Sequence, residues 1–321
     1  MKLPFQILFF VLPLQCVSDS TFVMFWNLEN FFDWKDEGYS DSDREFSARG
    51  ERHWTWKRYH AKCCAVAKSI LWISDRKGRV PDVITLAEIE NRKVLADIVN
   101  SSLLRKLGYG IVHYDSPDVR GIDVALLYRK SMFRLARSVP IHIPGVATRD
   151  ILLASLVDEK DDTVHFLVNH HPSKYGGASS SSRRELAVGR LKAVCDSLWA
   201  GGGRSIILTG DFNDTPENPL YSRLCEGPCG IVNLAAPLAA AGEGTIRFRG
   251  KWDLIDMFMV SGDLASRSKM EIVRIPFLMV WDNVFPGYKP LRTYSGPRYL
   301  GGVSDHCPVL LTLGDKKSSL K

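Results

Sequence analysis

Eight short apolar runs, rich in β-branched and aromatic residues and bounded by turn residues, constrain the fold of this chain. Runs of this length and composition are typical of β-strands in a buried sheet. Residues 59–70 and 187–198 instead place apolar side chains on one face of a helix. We therefore expect one mixed α/β domain over residues 20–315 and a polar tail at 316–321. The predicted strands are 21–26, 82–87, 123–129, 150–157, 163–169, 205–209, 254–260 and 308–313.

The second predicted helix follows a stretch rich in glycine and serine. Ser182 precedes Glu185 by three residues, the spacing of a capping box. Residues 176–182 have the composition of a loop. The sequence therefore predicts that this helix begins near Ser182.

Length and composition are those of an ordinary globular protein. The chain has 321 residues, of which 45% are hydrophobic and 24% charged, and its formal net charge is +6. These values argue against a fibrous repeat, a disordered chain and a multi-span membrane protein. The small positive charge is compatible with an anionic partner but does not require one.

The N-terminus has the pattern of an export signal. Lys2 precedes an apolar run that ends at Val17, too short for a membrane span of roughly 20 residues. We expect a signal peptide at residues 1–18 and a secreted or periplasmic protein without stable membrane insertion. A lipid anchor on Cys16 is the alternative, although Gln15 before it fits a lipidation motif poorly.

Six cysteines follow the predicted signal peptide, and export makes disulfides chemically possible. Cys225 and Cys229 flank a turn-rich segment and could pair, although sequence cannot fix the distance between their Cα atoms. A zinc site is disfavoured because no second Cys/His pair has ligand spacing. Cys63, Cys195 and Cys307 lie among apolar residues and are expected in the core.

Polar side chains lie at the ends of five predicted strands. A rigid strand end holds such a group in a fixed position, and functional sites are often built this way. Any one of these endings is also explained as a turn, but five in one domain indicate a shared site. They are Asn27-Leu28-Glu29-Asn30, Glu88, Asn169-His170-His171, Asp211-Phe212-Asn213-Asp214 and Ser304-Asp305-His306.

Asp256 lies within the otherwise apolar predicted strand 254–260. A carboxylate in such a strand is costly unless it is paired and hydrogen-bonded. A histidine is a suitable partner, because the carboxylate would fix its tautomer and favour the imidazolium. We expect such a pair, with an edge position facing water as the alternative.

The order of these motifs resembles the endonuclease/exonuclease/phosphatase superfamily, and most closely its secreted bacterial nuclease-like branch. The resemblance covers about residues 21–313 and implies an α+β fold: a four-layer α/β sandwich with two packed mixed β-sheets flanked by helices. It also implies a metal-dependent phosphoric ester hydrolase. The most specific motifs are Gly210-Asp211-Phe212-Asn213-Asp214 and Ser304-Asp305-His306, supported by Ala87-Glu88-Ile89-Glu90-Asn91, Arg120-Gly121-Ile122-Asp123-Val124-Ala125 and Asn169-His170-His171-Pro172-Ser173.

The resemblance implies a role for each matching position. It makes Glu88 the principal ligand of a divalent metal, with Glu29 and Asp305 as further carboxylates on the metal side. It makes His306 the catalytic histidine and Asp256 the carboxylate that orients it.

The remaining implied roles concern water and substrate. Asp211 and Asn213 match the pair that orients the attacking water and the phosphoryl oxygens, and His170 matches a phosphate contact. Asn27 and Arg120 are implied as substrate-binding residues. For Arg120, a surface position in a glycine turn is an equal alternative.

One feature departs from the pattern. His171 stands where secreted relatives often have a bulky aromatic residue. The acidic loop 33–43 could bind calcium, but it lacks a ligand-loop spacing and is expected to be solvated.

The chemistry of the site residues indicates the cofactor. Carboxylate and amide oxygens suit a hard ion, so Mg²⁺ is expected, with Mn²⁺ or Ca²⁺ as alternatives. Either Asp211 or the His306–Asp256 pair accepts the proton of the attacking water, and the sequence leaves both open.

The expected substrate is nucleic acid, with DNA first and RNA second, hydrolysed by a monomer without a protein partner. A phospholipid or sugar phosphate is the alternative, with residues 277–281 as the candidate membrane-docking segment. A non-catalytic surface protein would require a damaged metal–histidine set. Two loops that interleave aromatic and basic side chains support nucleic acid, although we expect at least half of their rings to be partly buried. Their residues are Arg52, Trp54, Trp56, Lys57 and Arg58, and Tyr288, Lys289, Arg292, Tyr294, Arg298 and Tyr299.

Overall fold

The computed structural model describes most of the chain, namely residues 20–35, 37–38, 40–173 and 177–314, the last range without the side chains of 177–179. The predicted signal peptide at 1–18, with Cys16, and the polar tail at 316–321 lie outside the described residues. Within the described ranges, no helix combines the length and the hydrophobicity needed to span a bilayer.

Two six-stranded sheets form the centre of the protein, and both mix parallel and antiparallel pairs. The first contains, in spatial order, β13 (Ser268–Ile272), β18 (Val309–Leu313), β1 (Thr21–Phe31), β2 (Val83–Ile89), β4 (Asp123–Arg129) and β3 (Tyr109–His113). The second contains β5 (Phe133–Ile141), β6 (Ile151–Asp158), β7 (Thr163–His170), β8 (Ser205–Asp211), β12 (Asp256–Val260) and β9 (Val232–Asn233).

Each sheet contains one parallel pair, β1 with β2 and β7 with β8. Parallel neighbours need a long crossover connection, which α2 (Trp56–Lys77) and α4 (Gly177–Ala200) supply. Thr55 caps α2 by accepting a hydrogen bond from the N–H of Arg58, and Gly78 ends it in the left-handed conformation at φ 67°. The two crossovers bring the carboxyl ends of four strands together.

The shorter elements surround this frame. The other helices are α1 (Asp41–Glu45), α3 (Arg92–Val99), α5 (Pro219–Cys225), α6 (Ala236–Ala240) and α7 (Gly262–Ala265), with 3-10 turns at Arg105–Leu107 and Pro276–Leu278. The described chain also forms two-stranded ribbons from β10 (Ile246–Phe248) and β11 (Lys251–Asp253), β14 (Met279–Asp282) and β15 (Gly287–Pro290), and β16 (Tyr294–Ser295) and β17 (Arg298–Tyr299).

Successive side chains of β1 point alternately into two different hydrophobic cores. Val23 and Phe25 belong to the core between the two sheets, whereas Met24 and Trp26 pack in the core beneath α2. Between the sheets, the hydroxyls of Thr85 and Thr209 lie 3.3 Å apart. Helix, sheet, sheet and helix therefore form four layers, and the predicted α+β sandwich is confirmed.

All eight predicted strands are confirmed, but four of the twelve sheet strands, β3, β5, β9 and β13, were not predicted. Two of them lack a clear strand signal for physical reasons. β5 is an edge strand with exposed Arg134 and a proline at 140, so it lacks a clear apolar pattern. β3 is also an edge strand, only five residues long, and it contains Gly110.

The predicted capping box at Ser182 is wrong, because α4 already begins at Gly177. Tertiary contacts hold this first part of the helix. The Arg184 guanidinium donates to Ser180 Oγ at 2.9 Å and to the carbonyl of Ser173 at 3.2 Å. The composition of 176–182 therefore did not predict its structure.

The structure contradicts a Cys225–Cys229 disulfide. Both are free thiols: Cys225 is exposed, and buried Cys229 directs its Sγ to the carbonyl of Cys195 at 3.3 Å. Cys63, Cys195 and Cys307 are buried, as expected.

The acidic loop is not simply solvated. Asp33 and Asp43 are both 1% exposed. Their carboxylates accept backbone hydrogen bonds from Lys35 and Glu37, respectively. The expectation of a solvated face is therefore wrong for these two aspartates, whereas Glu37 and Asp41 are exposed as expected.

Candidate active site

Irregular backbone at the strand ends directs carboxylates out of the first sheet. Ala87 pairs with Val124 and Ile89 pairs with Asp123, so Glu88 is the extra residue of a bulge, at φ 63°. A bulge redirects the side chain it carries, and left-handed backbone is uncommon for a residue other than glycine.

The same backbone feature recurs around the site. Glu29 and Asn30 have φ values of 47° and 48° within an irregular part of β1, and Asn213 has 51° just after β8. Backbone in sparsely populated regions is typical of functional sites, where surrounding contacts maintain it.

Eight of the ten predicted site residues line one cavity of about 910 Å³. The other two, Asn27 and Asp256, are 1% and 0% exposed and lie behind the lining carboxylates. The structure thus gathers the whole predicted set at one end of the two sheets. The eight lining residues are Glu29, Glu88, Arg120, His170, Asp211, Asn213, Asp305 and His306.

Asn27 connects the carboxylates of the two sheets. Its Nδ2 donates to Glu88 Oε1 at 3.3 Å and to Asp211 Oδ2 at 3.0 Å, while its Oδ1 accepts from the N–H of Glu29 at 2.9 Å. The backbone N–H of Asn30 holds the other Glu88 oxygen at 2.6 Å. The Asn27 amide is therefore used by protein groups, and its position is that of a positioning residue behind the cavity.

His306 and Asp256 form the expected pair. Nδ1 of His306 lies 2.8 Å from Asp256 Oδ2, and its Nε2 lies 3.9 Å from oxygens of both Asp211 and Asp305. Burial lowers the pKa of His306, but the Asp256 carboxylate, followed by those of Asp211 and Asp305, raises it well above its usual value. The ring is therefore an imidazolium at neutral pH.

The Ser-Asp-His motif is tied to β1 on both sides. Ser304 Oγ donates to the carbonyl of Asn27 at 2.6 Å and accepts from the N–H of His306 at 2.9 Å. The Trp26 indole donates to the carbonyl of His306 at 2.9 Å. These bonds explain how a loop next to β18 places its histidine beside β8.

Asp211 ends β8 directly opposite Asp256 of β12. The N–H of Asn213 donates to Asp211 Oδ1 at 2.8 Å, and its amide donates to the carbonyl of His171 at 2.9 Å. Burial, followed by the charge of Asp256, raises the pKa of Asp211 to about 7. Asp211 is thus suited to exchange a proton near neutral pH.

His170 lies between the carboxylates. Its Nε2 is 3.7 Å from Glu88 Oε1 and 3.6 Å from Asp211 Oδ2. Burial, aided by the charge of Arg149, lowers its pKa well below the usual value, so the ring is neutral. His171 instead packs edge-to-face on Phe212, with 4.9 Å between ring centroids, and is 1% exposed. It therefore takes the place of a core aromatic residue.

Glu29 and Asp305 share one arginine. Arg292 Nε donates to Glu29 Oε1 and its Nη2 lies by Asp305 Oδ2, both at 2.9 Å. The N–H of Thr293 donates to the second Glu29 oxygen at 2.7 Å, and buried Lys62 donates to the Glu29 carbonyl at 2.7 Å. Both expected metal-side carboxylates thus already have a cationic partner, which leaves Glu88 as the better-suited metal ligand.

The donor set fits a hard divalent cation. The oxygens of Glu88 and Asp211 face one cavity beside a neutral imidazole, and magnesium favours carboxylate oxygen. Asp211, Asp256 and His306 also offer ligand atoms within 4.8 Å of one another. That group is less suitable, because Asp256 Oδ2 already binds Nδ1 of His306.

Arg120, in the β3–β4 loop, and Arg149, two residues before β6, share the carboxylate of Asp118. Buried Arg149 pairs with Asp118 at 2.8 Å and donates to the carbonyl of His171 at 3.0 Å. Arg120 Nε lies 3.8 Å from the other Asp118 oxygen, and the side chain is 38% exposed and lines the cavity. Sequence analysis missed Arg149, whose only signal was a charged Arg-Asp pair before an apolar strand.

Two ribbons, β10–β11 and β14–β15, also contribute residues to the lining of this cavity. Arg247 joins them by donating to the carbonyls of Phe285 at 3.0 Å and Pro286 at 2.9 Å. Phe248 is 61% exposed and carries the Arg249 guanidinium 5.2 Å from its ring centroid. We call the lining residues Phe248, Arg249 and Phe285 the aromatic wall. The Arg-Phe-Arg sequence at 247–249 was its only sequence signal.

The aromatic residues predicted to meet nucleic acid lie elsewhere. Trp54 and Tyr294 are buried, and Trp56 and Tyr288 are exposed but do not line the cavity. In the candidate membrane-docking segment, Phe277 packs edge-to-face on a tryptophan of α2 and is partly buried.

Searches for similar structures find the same fold in several enzymes. D. rerio TDP2 complexed with single strand DNA product is 14% identical, with 93% of this chain and 100% of that chain covered and a TM-score of 0.55. The human Nocturnin catalytic domain is 17% identical, with 91% and 93% covered and a TM-score of 0.57. A Bacteroides thetaiotaomicron endonuclease/exonuclease/phosphatase family protein is 16% identical, with 92% and 98% covered and a TM-score of 0.58.

Sequence comparison identifies the family directly. No curated protein matches the chain, but the model of the Endonuclease/Exonuclease/phosphatase family matches residues 22–315. That range includes every residue of the site described above, as the motifs predicted. The chain therefore belongs to the endonuclease/exonuclease/phosphatase family, whose members are metal-dependent phosphoric ester hydrolases.

Proposed function

We propose that this protein is a Mg²⁺-dependent nuclease that hydrolyses phosphodiester bonds by water attack. The observation that carries the proposal is the meeting of Glu88, Asp211 and His306 around one cavity, from strand ends far apart in sequence. A carboxylate for a metal, a carboxylate with a raised pKa and a cationic imidazole are the groups that hydrolysis of an anionic ester needs.

Glu88 is the proposed principal magnesium ligand. Its oxygens are positioned by Asn27 and by the N–H of Asn30, and outer-shell bonds of this kind orient a metal ligand. When bound, Mg²⁺ would neutralise phosphoryl oxygens and stabilise the charge that develops in the transition state.

The protein groups then bind the ester and move protons. Arg120 and the His306 imidazolium bind phosphoryl oxygens, while Asn213 and Asp211 orient the attacking water. Asp211 accepts the water proton as the new P–O bond forms and the ester P–O bond breaks; the leaving oxygen takes a proton from solvent. Asp256 keeps His306 cationic and correctly oriented.

The aromatic wall supports nucleic acid over a sugar phosphate. Phe248 and Phe285 line the same cavity as the carboxylates, and exposed rings beside an arginine suit unstacked bases next to a phosphate backbone. The similar fold of D. rerio TDP2 is known with single strand DNA product. We therefore propose that bases flanking the scissile phosphate stack on this wall.

Removing a ring of the aromatic wall should weaken the binding of oligonucleotides but not of small phosphodiesters. We expect Phe248→Ala and Phe285→Ala each to raise KM for a single-stranded oligonucleotide about tenfold, since stacking contributes ~1–3 kcal/mol per base. Hydrolysis of a small bis-aryl phosphodiester should stay within about twofold, because it reaches the metal site without the wall. Trp56→Ala, an exposed ring outside the cavity, is the control. Equal losses on both substrates would contradict base stacking.

A substrate panel tests the function itself. Plasmid nicking, oligonucleotide cleavage, and hydrolysis of sphingomyelin and of a phosphoinositide are compared with Mg²⁺ and with chelator. We expect Mg²⁺-dependent cleavage of nucleic acid alone. Nicking that survives chelator, or activity only on lipid, would refute the proposal. Inactivity on every substrate would favour a non-catalytic protein.

A further inference from the structure

A second group of metal-binding side chains lies outside the active-site cavity. His113 ends β3, Asp123 begins β4, and Asp115 stands in the loop 114–122 between them. One ligand atom from each of the three lies within 4.8 Å of the others. None of them lines the cavity around Glu88.

The Nε2 atom of His113 faces Asp123 within this group. The His113 side chain is 3% exposed, and Nε2 has no hydrogen-bond partner within the described part of the chain. This nitrogen lies 3.7 Å from Asp123 Oδ2, too far for a hydrogen bond. Two ligands of one tetrahedral ion, each about 2.0–2.2 Å from it, stand at a comparable separation.

Asp123 is arranged as a metal ligand would be. Its Oδ1 accepts hydrogen bonds from the N–H of Ser116 at 3.1 Å and from the Ser116 hydroxyl. These bonds fix the carboxylate and leave Oδ2 facing His113. Burial lowers the pKa of His113 to about 4, so the ring is neutral and offers a lone pair.

We propose that His113, Asp115 and Asp123 bind one Zn²⁺ ion. An imidazole ligand favours zinc over magnesium or calcium, which prefer oxygen alone. Asp115 Oδ1 lies 4.0 Å from Nδ1, the other nitrogen of the His113 ring, and the Asp115 side chain is 91% exposed. It therefore has to rotate to meet an ion at Nε2, and the site stays open to water as a fourth ligand.

Such an ion would act on the active site through the loop. Binding would close the base of the loop 114–122. This loop places Arg120 at the cavity and holds Asp118 next to buried Arg149. The zinc would thereby order the phosphate-binding side of the cavity without touching substrate.

Zinc stoichiometry of the full-length protein tests the proposal. Wild type, His113→Gln and Asp115→Asn are titrated with Zn²⁺ against a chromogenic chelator, with excess Mg²⁺ to compete at the active site. We expect both variants to bind one equivalent less than wild type. Asp161→Asn, which removes a carboxylate 94% exposed elsewhere, is the matched control and should bind as wild type does.

Thermal unfolding gives a readout independent of activity. Zinc at 100 times its Kd should raise the Tm of wild type and Asp161→Asn by roughly 3–6 °C and that of Asp115→Asn by much less. Because Asp115 is exposed, its variant should fold even if His113→Gln does not. Equal zinc content in all variants, or equal loss in Asp161→Asn, would overturn the proposal.

Discussion

Asp211→Asn is expected to lower kcat on an oligonucleotide by about 10³-fold or more, with KM changed by less than about threefold. Asparagine has nearly the same shape, but it cannot take a proton from the attacking water. A general base contributes ~10²–10⁴-fold, and the bonds that orient the water are disturbed as well. Single-turnover cleavage at saturating Mg²⁺ measures the chemical step directly.

The effect of the same substitution on thermal stability distinguishes a loss of catalysis from a loss of folding. Burial raises the pKa of Asp211 to about 7, so the folded protein holds this proton more tightly than the unfolded chain. Without metal, wild type therefore loses stability as the pH rises from about 4 towards 7. The Asp211→Asn variant has no carboxyl group to titrate at this position and does not lose this stability. Its Tm at pH 7 should therefore equal or exceed that of wild type.

A matched control is available in the same cavity. Asp253 also lines it, from β11, and has no proposed role in the reaction. Asp253→Asn should keep kcat within about threefold of wild type. If Asp211→Asn does the same, Asp211 is not the proton acceptor and the His306–Asp256 pair becomes the candidate.

The positions of the site residues followed from sequence because the signals are local. Glu88 and Asp211 each end a strand of a parallel pair, and the crossover helices between such strands are recognisable from their periodicity. Parallel strands with right-handed crossovers present their carboxyl ends on one edge. Five polar strand ends were therefore enough to predict one cavity.

What each side chain binds could not be predicted in the same way. Glu29 and Asp305 read as metal ligands, yet both pair with Arg292, which is remote from Glu29 in the chain. Asn27 read as a substrate contact, yet its amide joins two carboxylates across the sheets. The role of each side chain depends on its contacts with residues far away in the sequence. No local sequence pattern predicts those contacts.

Asp256→Asn is expected to lower kcat at pH 7.5 by about 10²–10⁴-fold, because it removes the group that keeps His306 cationic. Three carboxylates face this ring: Asp256 bonds Nδ1 at 2.8 Å, and Asp211 and Asp305 lie 3.9 Å from Nε2. Burial alone lowers the pKa of His306. Without Asp256 the ring should lose its proton at lower pH than in wild type.

The pH profile of this variant decides between the two roles of His306. A cation that binds the phosphoryl group is present below its pKa, so Asp256→Asn should move the alkaline limb to lower pH by ~1 unit or more. The deficit in kcat relative to wild type should then be smaller near pH 5.5 than at pH 7.5. If His306 were the base, the acidic limb would move to lower pH instead, and the alkaline limb would stay in place. The double variant Asp256→Asn/His306→Gln should be no slower than His306→Gln alone, because the carboxylate acts only through the ring.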